Sequence, residues 1–488
     1  MSGARRVATL AVLVAVLVAG GMADRIGRPA TEGSADDVET QVPYAAPAAA
    51  GSSAWFCAGG TAAPGSPGDA TVVVANTTGE RLDGTATVVP VDAAARSVPI
   101  TVDARDRTAV RLGDVASAPW ASAVVELDGG GAVVELVASG PLGESITPCA
   151  SSASATWYFA EGATSKDASL TLAVLNPFPD DAVVDFLFST EEGQFTPPRL
   201  TGVTVAGRSM AAIPVGELVE RREAVATIVR ARTGRLAVGR LQTWDGSAGR
   251  RGVTIAMGAA AAGSVWYFPE GLVAEGLAER FQLFNPTADE AEVELSLTLE
   301  TGSAEPLNLR IPARSRLTVS ANDETRIPRG VAHAVTVTSS NGVGVVAERT
   351  VEAAAPSPRR GVASTFGARP LARSWATAAG GTAPGLETII VVQNPSNQLR
   401  RVDVVALVDG SELRPDGLRA LEVPARSRRA IPVGAHLQRP DTALIVRADG
   451  PVVVERDLHR AAPPPNGRGP VASSAMSMAI PMRERMAA

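Results

Sequence analysis

Lysine is almost missing: Lys166 is the single one in 488 residues, and arginine carries the rest of the positive charge. The arginines are scattered and the formal net charge is −6, so the chain lacks the basic face with interleaved aromatics that a nucleic-acid binder presents. Histidine and cysteine are scarce as well. Three histidines (His333, His436, His459) and two cysteines (Cys57, Cys149) make no cluster at metal-ligand spacing, which argues against a metal centre. The histidines have no nucleophile motif nearby and read as solvated or strand-edge residues. Cofactor fingerprints are missing too: there is no P-loop and no dinucleotide-binding glycine pattern, so no cofactor is expected. The nearest approach to a nucleophile elbow, Gly207-Arg-Ser-Met-Ala211, lacks the second glycine. With aromatics at 4 %, large aromatic pockets are not expected either.

Alanine, valine, glycine and proline fill the chain instead, a mixture suited to many short strands and turns. At this length several cores are required. The N-terminus sets the compartment. Arg5 and Arg6 precede an apolar stretch over residues 7–23, which reads as an export signal or, left uncleaved, as a signal-anchor helix; the sequence leaves both open. An extracytoplasmic location, membrane-anchored or secreted, is the expectation. Residues 1–25 form this segment, and 26–54, rich in small residues and acids without apolar periodicity, read as a flexible stalk.

Laying the chain on itself reveals four copies of one unit with a period of about 105 residues. Each opens on a tryptophan: Trp55-Phe-Cys57, Trp157-Tyr-Phe159, Trp266-Tyr-Phe268 and Trp375-Ala-Thr377. About twenty residues on, an apolar run ends at Asn76, Asn176, Asn285 or Asn394. A matching segment holding Arg105, Arg208, Arg314 or Arg426 follows, and a closing strand ends each unit: Ala132-Val-Val-Glu135, Leu236-Ala-Val-Gly-Arg240, Val345-Val-Ala-Glu-Arg349 and Val452-Val-Val-Glu-Arg456. Short alternating or continuous apolar segments between turn residues predict seven or eight strands per unit. That predicts an all-β chain of four tandem immunoglobulin-like β-sandwich repeats, at 55–150, 151–262, 263–370 and 371–482, with a tail at 483–488. A propeller blade needs about 40 to 45 residues, and the unit shows no internal halving.

Cys57 and Cys149 sit at the two ends of the first unit, the arrangement of a structural disulfide in an exported domain. The asparagines read as turn residues that bond their own backbone. Trp157 and Trp266, with Glu161 and Glu270 in the same Trp-Tyr-Phe-x-Glu-Gly stretches, are the candidate ligand surface, since an indole face stacks on a sugar. Against this, the tryptophans equally plug one end of each sandwich. A glycosidase-like pair of Glu161 and Glu270 needs two repeats to bring the acids within about 5 to 10 Å. Glu135, Glu348 and Glu455, with Arg349 and Arg456 beside two of them, read as internal ion pairs or interdomain contacts.

With these landmarks assembled, the stretch Pro148-Cys-Ala150 leading to Trp157-Tyr-Phe159, the run Leu172 to Val184 and the Val-Val-Glu-Arg closing strand resemble an exported actinobacterial family catalogued as a domain of unknown function. The resemblance covers nearly everything after the stalk and implies a secreted or membrane-associated envelope protein. It supplies no catalytic residues. The expected function is a non-enzymatic envelope scaffold or adhesion module whose partner is wall glycan or another envelope protein. A wall-polysaccharide binder is the alternative, and an enzyme with a site between repeats comes third.

Overall fold

Alternation decides most of the strands. Along Ala182–Thr190, Val184, Phe186 and Phe188 turn inward while Val183, Asp185 and Leu187 face outward, the two-residue period of a sheet covered on one side. The closing strands break that alternation: Ala132 to Leu136 are all buried, because both faces of this strand are covered. The computed structural model describes residues 42–299, 304–461 and 471–483. The apolar stretch at 7–23, the first part of the stalk and residues 484–488 lie outside the described residues.

The chain is all-β and built of sandwiches. In the first repeat one sheet orders Ser53–Cys57, Ala121–Leu127, Leu82–Pro90 and Arg96–Val102, and the other orders Arg107–Arg111, Asp69–Asn76, Ala132–Gly140 and Gly143–Pro148. All pairings are antiparallel. The opening strand thus lies beside the sixth and the closing strand beside the second. An antibody constant domain has these two on the opposite sheets. In the fourth repeat one strand, Ala443–Arg460, runs through both sheets: its first part pairs with Ala372–Thr377 and Arg400–Val408, its second with Leu386–Asn394 and Ser473–Met478.

Each landmark asparagine staples two turns. Asn285 is fully buried; its amide donates to the carbonyls of Asp289 (2.7 Å), Ile311 (3.0 Å) and Pro312 (3.1 Å), and its oxygen accepts from the Thr287 N–H (3.0 Å). Asn394 repeats this on Gln398, Val423, Pro424 and Ser396. Asn285→Ala is expected to cost about 2–3 kcal/mol in chemical denaturation, since buried carbonyls lose their donor. Asn285→Asp, which supplies no N–H, rescues little.

The four sandwiches close into a ring. The last strands of the repeats, Gly143–Pro148, Arg251–Met257, Gly361–Phe366 and Ser473–Met478, pack around one axis, each against the next and the fourth against the first. These are sheet-edge strands, and side chains meet the unpaired backbone of one of them: Ile255 N–H donates to Ser145 Oγ (3.0 Å) and Met257 N–H to Thr147 Oγ1 (3.2 Å). Ring closure therefore hides four edges that would otherwise invite pairing with another chain. Residues 42–54, within the segment expected to be a flexible stalk, are packed: Ala45 is 1 % exposed, its N–H bonds Pro481 O at 3.0 Å, and Ala46 O accepts from Gly131 N–H at 2.8 Å. They clasp the first repeat to the short segment Ile480–Pro481 at the end of the fourth.

Candidate functional site

The closing strands bring the chemistry together. Register aligns Glu135, Gly239, Glu348 and Glu455 at one position of the strand and Leu136, Arg240, Arg349 and Arg456 at the next. Each arginine reaches across to the glutamate of the following repeat. Arg240 bonds Glu348 (2.8 Å), Arg349 bonds Glu455 (2.5 Å), and Arg456 bonds Glu135 (2.8 Å), which closes the circle from the fourth repeat to the first. All six side chains are at most 1 % exposed. The glutamates are also capped by the opening motif of the preceding repeat. Ala160 N–H donates to Glu348 (2.7 Å), Glu270 N–H to Glu455 (3.2 Å), and Ala378 and Ala379 N–H to Glu135 (2.9 and 2.7 Å). These charge-assisted bonds neutralise each ion inside the protein, although Glu135 Oε1, Arg240 Nε, Arg349 Nε and Nη1, and Arg456 Nε and Nη2 are buried without a hydrogen-bond partner among the described residues.

The junction between the first and second repeats is apolar instead. Leu136 and Gly239 occupy the arginine and glutamate places, and a Cβ at 239 would collide with the Ala58 carbonyl oxygen. Glycine is required there by that close approach.

The third-to-fourth junction carries an excess of acid. Glu270 pairs with Arg428, Glu279 with His333 (2.9 Å) and Glu455 with Arg349, which leaves Asp457 with only His459 at 4.0 Å. Burial, then the charges of Glu455 and Glu270, hold the Asp457 carboxyl well above the usual carboxylate range, opposed by Arg349 and Arg359. Burial and Arg359 push His459 down to about 3, so it supplies no compensating charge. Asp457 therefore holds its proton more tightly in the folded protein than in the unfolded one, which loses it above the ordinary value of 3.8. Its contribution is full below that value and is lost as pH rises toward the folded value. Asp457→Asn should accordingly be more stable than the parent at pH 7, with the difference vanishing at about pH 3.8 and below. Denaturation titrations across that range measure it. His333 corrects the solvated reading of the histidines: it is fully buried against Glu279, whose charge raises its pKa against the opposing effect of burial.

The residues expected as a ligand surface are inside the molecule. Trp157 and Trp266 are 3 % and 2 % exposed, and their indole N–H groups donate to Leu236 O (2.9 Å) and Val345 O (2.8 Å) at the start of the closing strand. Indoles so placed plug the sandwich and cannot stack on an external sugar. Glu161 lies at the second-to-third junction, 3.4 Å from Arg240, and Glu270 at the third-to-fourth junction on Arg428. They serve different junctions and form no carboxylate pair. Among the described residues no group of three or more His, Cys, Asp and Glu could hold a metal ion. Nor is any described helix long and apolar enough to cross a membrane.

Cys57 and Cys149 form a disulfide across the first sandwich, with Cα atoms 4.7 Å apart and both side chains buried.

What the expectation omitted is a cavity on the ring axis. Its deep wall is made of Ile146, Ile255, Ala256, Met257 and Met478, with Trp157, Trp266 and Trp375 behind them, and half-buried Val42, Pro43, Ser151, Ser152 and Arg369 border its mouth. It comprises about 880 Å³ of space, including that open to solvent. No single repeat contains it, which is why no motif announces it.

Residues 137–359 match a family of unknown function (DUF5719). The DUF5719 match begins within the first closing strand and ends beyond the third, so it takes in the Arg240–Glu348 junction whole. No curated protein matches the chain. Among solved structures, Thermotoga maritima 1070 is 16 % identical, matching 22 % of this chain and 96 % of its own with a TM-score of 0.21. The Anabaena sensory rhodopsin transducer is 24 % identical over 18 % of this chain and 94 % of its own, with a TM-score of 0.17.

Proposed function

We propose that this DUF5719-matching protein is a non-enzymatic, extracytoplasmic scaffold of the cell envelope, a four-repeat ring that presents its outer turns to an envelope partner. The observation that supports it most is the fate of the recurring acids: Glu135, Glu348 and Glu455 are each consumed by an arginine of the neighbouring repeat. Carboxylates paired and fully buried in this way hold repeats together and face no substrate, whereas acid–base work requires a titratable group in contact with one. The Cys57–Cys149 bridge is in keeping with an oxidising compartment. Export would come from residues 7–23, as cleaved signal or as anchor. The wall-polysaccharide alternative loses its main support with Trp157 and Trp266 in the core.

The test is fractionation of native cells followed by non-reducing mass analysis and in-cell crosslinking. Recovery in the envelope or medium, with the bridge formed and a crosslinked envelope partner, supports the scaffold. Recovery in the cytoplasm with free thiols, or turnover of a wall substrate that Glu161→Gln or Glu270→Gln abolishes without loss of the fold, overturns it.

A further inference from the structure

We infer that the axial cavity is a binding site for a single hydrocarbon chain. Protein interiors are packed to crystal-like density, and voids larger than a water molecule are few. About 100 Å³ of this space is open to the centre of a water-sized sphere, room for a slender chain rather than a bulky ligand, and it sits where all four repeats meet. Its deep wall carries Ile146, Ile255, Ala256, Met257 and Met478, side chains with nothing to offer a polar ligand. The polar groups near it are already engaged: Thr147 Oγ1 accepts from Met257 N–H at 3.2 Å, Thr365 Oγ1 donates to Phe366 O at 3.1 Å, and the indole N–H groups of Trp157, Trp266 and Trp375 bond carbonyls. A sugar or a nucleotide would have to leave its hydroxyls unsatisfied there. An unbranched alkyl chain loses nothing on entry, and methionine, which lines the cavity from two different repeats, adapts its shape to such a chain.

The geometry also explains a departure from symmetry. At the level of the cavity the four equivalent residues are Pro148, Met257, Phe366 and Met478. Four identical large side chains there would meet on the axis and fill it. Unequal ones leave a space, bordered by half-buried Val42, Ser151 and Arg369. An apolar wall with a half-buried rim suits an end-on chain whose head group remains at that rim.

The cavity carries its own reporters, since three tryptophans line it. Linear alcohols from hexanol to dodecanol, and dodecanoate, are titrated into the purified, disulfide-bonded protein, with tryptophan emission and native mass spectrometry as readouts. Expected are one bound molecule per chain, a change in emission, and an affinity that rises about fourfold per added CH₂, the transfer increment of a methylene group. Dodecanol and dodecanoate should both bind. Ala256→Phe fills the cavity and should weaken dodecanol binding at least tenfold with the fold retained by circular dichroism. Should that variant misfold, Ser364→Leu, on the same wall, serves in its place. An affinity independent of chain length, several molecules bound per chain, binding of dodecanoate alone, or binding untouched by the filling substitution each overturns the inference.

Discussion

Arg456→Ala is expected to lower the stability of the ring by about 3–5 kcal/mol, because it removes one partner of a buried ion pair and leaves the other charged in the interior. Glu135 is 0 % exposed, and although it keeps the Ala378 and Ala379 N–H groups, two amide dipoles do not replace a guanidinium. The loss should appear as a lower denaturation midpoint and as faster hydrogen exchange at Ala378 and Ala379, since that junction joins the fourth repeat to the first. The protein contains its own control. Where the first repeat meets the second, Leu136 and Gly239 replace the arginine and glutamate, and the junction is closed by packing. The double variant Arg456→Leu with Glu135→Gly copies that solution, and it should recover at least half of what Arg456→Ala loses. An apolar replacement of a whole buried pair is often neutral, whereas breaking one is not. If the double variant is the less stable of the two, the loss comes from something other than an orphaned charge.

The repeats were legible because a strand's requirements are local. Tryptophan at the opening, asparagine at the turn and an apolar closing strand recur at fixed order: the asparagine amides bond the carbonyl four residues on in all four copies, and the indoles of the last three repeats donate to equivalent carbonyls. The cysteine pair was legible for the same reason, two thiols at the ends of one unit. The ring was not. Glu135 and Arg456 are 321 residues apart, and a strand that carries Glu-Arg is compatible with an internal ion pair and with a contact between repeats until the partner repeat is in place. One signal did point outward. Gly239 and Leu136 break the Glu-Arg pattern at complementary places, one the missing acid and the other the missing base of the same junction. Such paired loss is expected of residues that meet, and only residues of neighbouring repeats can be paired that way. The tryptophans show the converse limit. Their sequence is compatible with a sugar-stacking surface and with a plug, and only the carbonyl of the closing strand, brought over the indole by folding, decides between them.

Reduction of the disulfide, or its replacement by two alanines, should cost the first repeat about 4–5 kcal/mol by loop-closure entropy, given a bridge that spans 92 residues. The other repeats show how that loss can be offset. The places of Cys57 and Cys149 are taken by Phe159 and Gly258 in the second repeat and by Phe268 and Gly367 in the third. There the phenylalanine ring lies over the glycine: a Cβ on Gly258 or Gly367 would stand 2.9 Å from the ring beneath it. The disulfide and the ring-on-glycine contact are therefore two fillings of one space, the first covalent and the second apolar. Cys57→Phe with Cys149→Gly should be more stable than the double alanine variant by about 3–5 kcal/mol, the value of a buried phenylalanine. Its melting temperature should ignore dithiothreitol, whereas that of the parent falls. A further consequence follows at the neighbouring junction. Ala58, the residue after Cys57, rests its carbonyl on Gly239, so the strand must be held low at this point for the apolar junction to close. The bridge holds it with Cα atoms 4.7 Å apart. A phenylalanine ring supplies volume but no such tether, so the swapped variant should regain the stability of the first repeat while exchange at Ala58 and Gly59 stays faster than in the parent.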